Sequence, residues 1–299
     1  MRLVLLGDPV GPSRSPAIHR AALAAAGLEG LYEARRVDAA GVYRACAEIR
    51  AGALHGANVT MPHKRTAAAA ADRLAPDARR CGAVNTLVPE SGEVVGHNTD
   101  VGGLRLARAW AGVPHGLPVL VLGTGGAAAA ALVAFDGSRL YVAGRRPGAG
   151  PALAAAVGVA AAEVPWGRPL PGALVVNATP LGMEEEALPA GVVEEASGLI
   201  DLPYGAGPTP AVAEAVAVFR KRGVEDRFQH VQHRSLHHTV MNRGNSQRSL
   251  LLASRFRDPD PSQGQWLVVL VAQRLHRFPL FGRRTPCLPV DPRGLVTPV

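Results

Sequence analysis

The sequence predicts an α/β protein of two units, each a largely parallel sheet covered by helices. Three observations carry that reading. Short apolar runs alternate with Ala/Leu-rich stretches of helical length from residue 2 to residue 222, as βαβ units do. The chain has 299 residues, enough for about two domains at ~150 residues each. Residues 117–122 form an apolar run that enters a glycine-rich turn, as a strand buried on both faces would.

In chain order, Arg2–Gly7 is predicted as a strand and Pro16–Ala26 as a helix with proline in its first turn. Leu31–Val37 follows as a strand, Val42–Ala51 as a helix, and Gly56–Val59 as a strand. Thr66–Arg73 reads as a helix and Ala83–Val88 as a strand, closing a first unit at residues 1–101. A helix over 101–112 bridges to a second unit at 102–223. Its strands are expected at 117–122, Arg139–Ala143, Ala173–Asn177 and Gly198–Leu202, with an alanine-rich helix after the first and another at Pro210–Arg222.

Hydrophobic residues make up 47% and charged residues 19%, which excludes a disordered or low-complexity chain. No stretch approaches the ~20 apolar residues of a membrane span. No membrane partner is therefore expected, and the five residues between Met1 and Gly7, too few for a secretory apolar core, read as a buried strand. Cys46, Cys81 and Cys287 are odd in number and scattered, without metal-ligand spacing. They fit a reducing cytoplasm, with no disulfide framework and no metal site.

The net charge of +8 belongs to one end of the chain. Residues 217–299 hold 14 of the 32 Lys and Arg but 5 of the 24 Asp and Glu, so the rest is almost neutral. Basic groups confined to a poorly patterned segment do not form the continuous basic face of a nucleic-acid binder, and no such partner is expected.

Gly123-x-Gly125-x-x-Ala128 follows a strand and opens a helix. That context distinguishes a dinucleotide fingerprint from an ordinary glycine-rich turn. The first glycine makes the turn and the second lets the backbone approach a pyrophosphate. The small third residue lets helix and strand pack closely, as in Rossmann-like domains. An NAD site would place a carboxylate about 20 residues on, at the end of the second strand. Here that position reads Gly144-Arg145-Arg146, and two guanidiniums suit the 2′-phosphate of NADP.

The first unit ends three predicted strands in polar groups. Gly56-Ala-Asn58-Val-Thr60-Met-Pro62-His-Lys64, Gly82-Ala-Val-Asn85-Thr86 and Gly96-His-Asn98-Thr99-Asp100 bring amides and hydroxyls to strand ends, with one lysine and one aspartate. One polar strand end is usually a capped turn, whereas three in one sheet suggest a crevice for a small polyol acid. Ser13 and Ser15 precede a helix, whose positive end favours an anion.

Seven collinear stretches, GDPVGPSRSPAIH, GANVTMPHK, CGAVNTL, GHNTDVGG, VLVLGTGGAA, VVNATPLGM and IDLPYGAGPTP, resemble the shikimate dehydrogenases over about residues 3–215. The resemblance implies an amino-terminal substrate domain, a Rossmann-like NADP domain with a cleft between them, and reduction of 3-dehydroshikimate to shikimate on the route to chorismate and the aromatic amino acids. It implies Lys64 and Asp100 as the catalytic pair and Ser13 and Ser15 on the substrate carboxylate. Thr60, Asn85, Tyr204 and Gln273 would also contact the substrate. The cofactor would meet Gly123, Thr124, Gly125, Gly126, Ala127, Arg145, Arg146, Thr179 and Leu202. A monomer or homodimer is expected. The alternatives are an NAD-dependent quinate/shikimate dehydrogenase and a weakly active or non-catalytic regulatory relative.

The resemblance departs at Arg20, which follows His19 where an Asn is usual, and at Gly144. It fails after Arg222 for about forty residues. Residues 224–262 are therefore expected not to form the family's carboxy-terminal helices. Residues 263–282 are expected as a helix returning to the first domain, carrying Gln273 but with Trp266 in place of the family glycine, and 283–299 as disordered. This is what an insertion or two compensating frame changes would leave. A poorly anchored closing helix would make turnover weak or absent.

Overall fold

The computed structural model describes residues 1–11, 13–111, 113–204, 208–222, 248–257 and 266–275. The first unit contains strands β1 (Arg2–Gly7), β2 (Leu31–Arg36), β3 (Ala57–Val59), β4 (Arg73–Leu74), β5 (Thr86–Glu90) and β6 (Glu93–His97). They form one sheet in the order β2-β1-β3-β5-β6-β4. Its helices are α1 (Ser15–Ala25), α2 (Ala39–Arg50), α3 (Lys64–Ala70) and α4 (Pro76–Cys81). Alternation along β1 sends Val4 and Leu6 to the α2–α3 side, against Val42, Ile49 and Leu54, and Leu3 and Leu5 to the other side with Leu23 and Tyr32. Asp38 caps α2 by accepting the Gly41 N–H at 2.7 Å.

The sheet is less parallel than expected. β1 pairs parallel with β2 and β3, but β3 with β5 and β5 with β6 are antiparallel. Ser91 and Gly92 take positive φ, 52° and 84°, and fold β5 onto β6 in a tight hairpin. The hairpin sets His97 opposite Thr86 and brings the Asn98–Asp100 segment beside Asn85.

Helix α5 (Thr99–Ala111) leads into the second unit. There, β7 (Pro118–Leu122), α6 (Gly126–Ala134), β8 (Arg139–Ala143), α7 (Ala149–Ala156), β9 (Ala161–Glu163), β10 (Leu174–Asn177), β11 (Gly198–Asp201) and α8 (Pro210–Lys221) follow in turn. Two further strands, β12 (Arg248–Arg257) and β13 (Trp266–Leu275), complete a seven-stranded sheet in the order β12-β13-β11-β10-β7-β8-β9. β7 pairs with β8 on one side and β10 on the other, so the strand order reverses at β7, where α/β sheets bind ligands. Val119 and Val121 pack into the core under α5 and α6, while Leu120 and Leu122 pack with α8, which is why β7 is apolar at every position.

The two units share a core. Cys81, Ala83, Val101 and Leu104 from the first unit and α5 pack in one cluster with Ala128–Ala134 of α6 and with Phe135 just beyond it. Alanines from 128 to 131 let α6 lie close to its neighbours. Arg80 adds a polar strut, donating to the Asp136 carboxylate at 2.5 Å and to the Val157 carbonyl at 3.4 Å.

The stretch expected as a returning helix is a strand instead. β13 runs parallel to β11, Gly198 opposite Trp266, and antiparallel to β12, Leu250 opposite Gln273. Leu267-Val-Val-Leu-Val271 is a β-branched apolar run whose pattern alone does not separate helix from strand, and the open edge of β11 takes it as a strand. The nucleotide sheet thus extends past residue 223, while the tail expectation for 283–299 lies outside the described residues.

Candidate active site

The polar strand ends of the first sheet converge as the sequence suggests. Lys64 begins α3 and donates from Nζ to Asp100 Oδ2 at 2.7 Å, the two side chains being 19% and 18% exposed. Both are thus reachable from the cleft yet held. Asn85 Nδ2 donates to Asp100 Oδ1 at 2.7 Å and to Thr99 Oγ1 at 2.9 Å, while its Oδ1 accepts the Thr99 N–H at 2.9 Å. Asn98 accepts the Asp100 N–H at 3.1 Å and donates to the Ala83 carbonyl at 3.0 Å, which fixes the start of α5. Asp100 is thereby clamped from two sides, and its oxygens keep lone pairs for a substrate hydroxyl.

Ser13 Oγ lies 3.1 Å from Ser15 Oγ and 3.3 Å from the Tyr204 hydroxyl, which reaches over from the second unit. Ser15 sits in the first turn of α1, an eleven-residue helix, and its N–H donates to Ser13 Oγ at 3.2 Å. Thr60 is half-buried past the end of β3, its N–H bonded to the Leu6 carbonyl at 2.8 Å. These groups line the cleft edge of the first sheet. Gln273 does not join them on a returning helix, because it lies on β13 of the second sheet.

Tyr32 and Asn58 complete this floor, and sequence reasoning did not assign them. The buried Tyr32 hydroxyl donates to Asn58 Oδ1 at 2.7 Å, and the Tyr32 ring stacks on His19 with centroids 4.2 Å apart. His19 Nδ1 donates to the Ser15 carbonyl at 3.0 Å. Burial holds the imidazole below its ordinary pKa and pushes the Tyr32 phenol up, so both stay neutral. The only sequence signal for Asn58 was its place in the GANVTMPHK stretch.

Across the cleft lies the glycine turn. Gly123 has φ +111°, and a Cβ there would come 2.9 Å from the Ala178 carbonyl oxygen, so glycine is required. Gly125 is exposed with open space around it, and α6 starts without a side-chain cap. Free backbone N–H groups at the start of a helix suit a pyrophosphate. A Cβ on Gly126 would lie 3.2 Å from the Lys64 Cβ, so the turn rests directly on the lysine. Arg65 Nη2 reaches the Thr124 carbonyl at 3.4 Å. Ala127 is half-buried just inside α6. Gly144 lies against the Thr124 methyl, and beyond it Arg145 and Arg146 are exposed, with no side-chain hydrogen bond or ion pair among the described residues. These features fit a dinucleotide with a 2′-phosphate.

Thr179 and Leu202 follow β10 and β11 at the same end of the sheet. Thr179 donates its hydroxyl to Asn177 Oδ1 at 2.6 Å, and the Leu202 N–H bonds the Asn177 carbonyl at 3.1 Å. Asn177 Nδ2 donates to Asp201 Oδ1 at 2.7 Å, and Asp201 is fully buried. Burial pushes the Asp201 carboxyl up to about 6, against the pull of hydrogen bonds from Thr209 and Asn177.

That shift has a sign. The folded pKa lies above the free value of 3.8, so protonation favours the folded state; the benefit is full below about pH 4 and lost as pH rises through about 6. Asp201→Asn, which cannot ionise, is expected to remove a loss on the order of 1 kcal/mol between pH 5 and pH 7. Urea unfolding at both pH values measures it. Identical pH dependence in the two proteins would show that Asp201 does not titrate there.

Residues 5–87 match the family model for the shikimate dehydrogenase substrate-binding domain. An NADP(+) shikimate dehydrogenase of Thermus thermophilus is 39% identical over 209 residues, covering 68% of this chain and 78% of that protein. That of Symbiobacterium thermophilum is 41% identical over 199 residues, covering 62% and 68%. Among solved structures, a shikimate 5-dehydrogenase of Thermus thermophilus in complex with NADP(H) and shikimate is similar at a TM-score of 0.65. It shares 38% identity and covers 73% of this chain and 84% of that one. With the paired Lys64 and Asp100, the glycine turn against Lys64, and a 39% identical relative matched over 68% of its length, the chain belongs to the shikimate dehydrogenase family.

Proposed function

We propose that the protein interconverts 3-dehydroshikimate and shikimate with NADP(H), working as the reductase of chorismate and aromatic amino acid biosynthesis. The single observation that carries this is the Lys64–Asp100 pair at 2.7 Å, with the glycine turn resting on Lys64 at its back. NADPH, when bound, supplies the hydride. As the 3-keto oxygen gains negative charge, the Lys64 ammonium stabilises it and gives up a proton to it, leaving the alcohol. Asp100, fixed by Asn85, aims that ammonium and accepts from a neighbouring substrate hydroxyl. Ser13 and Ser15, at the positive end of α1, hold the substrate carboxylate, and Thr60 and Tyr204 bond its remaining polar groups. Gly123, Thr124, Gly125, Gly126 and Ala127 would hold the pyrophosphate, Arg145 and Arg146 the 2′-phosphate, and Thr179 and Leu202 would contact the cofactor as well.

We read the enzyme as cytoplasmic, and a monomer or homodimer. Among the described residues no helix is long and apolar enough to cross a membrane, and Cys46 and Cys81 are free and buried. The second reading, a quinate/shikimate dehydrogenase using NAD, is disfavoured by the arginine pair and the absence of a carboxylate from 140 to 150. A panel of shikimate and quinate with NADP+ and NAD+ tests the choice. Shikimate with NADP+ is expected to give the highest kcat/KM, and faster turnover of quinate with NAD+ would overturn it.

A further inference from the structure

Asp201 is a carboxylate with no exposed surface, and the chemistry above does not use it. Among the described residues no cation approaches it, and its partners are the neutral side chains of Asn177 and Thr209, 0% and 4% exposed. Burying an acid with only neutral partners is costly, and apolar residues of similar size would pack there without that cost. What apolar residues would lack is direction. Asp201 Oδ1 accepts from Asn177 Nδ2 at 2.7 Å, and Oδ2 accepts the Thr209 hydroxyl.

Each partner is bonded in turn to a different segment. Asn177 Oδ1 accepts the Thr179 N–H at 3.1 Å and hydroxyl at 2.6 Å, and its Nδ2 also donates to the Leu181 carbonyl at 3.2 Å. Thr209 Oγ1 accepts the Val212 N–H at 3.3 Å and so caps α8. The segments also touch: Gly182 has φ +99°, and a Cβ there would lie 3.1 Å from the Thr209 Cβ. One segment carries Thr179. Asp201 itself ends β11 and leads within three residues through Leu202 to Tyr204, while Thr209 stands just before α8. Tyr204 reaches Ser13 across the cleft at 3.3 Å.

We infer that Asn177, Asp201 and Thr209 form a buried clamp of positioning residues that aims Tyr204 at the substrate and Thr179 at the cofactor. The identity of those two ligands rests on the function proposed above. The clamp is divisible: its Thr209 arm serves the substrate side and its Asn177 arm the cofactor side.

A double-mutant cycle tests the first arm. Thr209→Val keeps the volume and deletes the hydroxyl, and is expected to raise KM for shikimate at least about fivefold while leaving NADPH affinity within about twofold. Thr209→Ser restores KM. In a Tyr204→Phe background, Thr209→Val adds less than about twofold, because the hydroxyl it aims is already gone. An equal penalty in both backgrounds would reduce Thr209 to a helix cap and overturn the inference. The second arm is read without turnover, by NADPH fluorescence on the full-length protein with no substrate present. Asn177→Ser, whose hydroxyl is too short to bridge Asp201 and Thr179, raises the NADPH dissociation constant at least about fivefold. Unchanged affinity in folded Asn177→Ser would overturn the clamp, even if the wild type binds NADPH but does not turn over shikimate, a result that refutes only the proposed function. That arm also decides the matter if Thr209→Val does not fold.

Discussion

Lys64→Ala is expected to lower kcat by at least about 10²-fold with little change in KM, the signature of a group that acts on developing charge. The structure supplies the reason. Among the described residues Lys64 is the single ammonium beside Asp100, and the backbone under it is fixed, since its carbonyl accepts the Val84 N–H at 2.8 Å. Truncation leaves Asp100 held by Asn85, so the substrate floor keeps its shape and binding energy while the proton donor is gone. The side chain is partly exposed, so the fold is expected to survive, which a melting curve verifies. Steady-state rates that match the wild type would remove Lys64 from the mechanism.

Arg145→Asp is expected to move cofactor preference from NADPH toward NADH by about 10- to 100-fold in the ratio of kcat/KM values. A charge-assisted contact to the 2′-phosphate is lost, and an acceptor for a 2′-hydroxyl takes its place. Arg145 sits just past β8 on an exposed turn and, among the described residues, makes no side-chain hydrogen bond or ion pair that the substitution would break, so the change should act through the ligand. Kinetics with both cofactors decide it, and a wild type indifferent between them would contradict the assignment.

Much of this was legible because the chemistry lies in short local stretches. The strand before Gly123 and the helix after it mark the turn within about ten residues, and Arg145 stands where the turn's geometry requires a ribose partner. What pairing decides was not legible. The antiparallel β5–β6 hairpin turns on Ser91 and Gly92, and only its register makes Asn85 a neighbour of Thr99 and Asp100. The two-residue β4 and the six-residue α4 are too short to show a period. The seating of Gly126 on Lys64 depends on how two units pack, to which no local pattern refers. The stretch from Trp266 to Leu275 misled because its apolar run of seven, Trp266 to Ala272, fits either a helix or a strand, and the free edge of β11 determined which.

The most direct measurement is NADPH oxidation by the purified full-length chain with 3-dehydroshikimate, run beside Lys64→Ala. The account predicts loss of nicotinamide absorbance that requires the substrate, falls at least about 10²-fold in the variant, and is far slower with NADH. NADPH consumption independent of 3-dehydroshikimate, or equal in the two proteins, would contradict it.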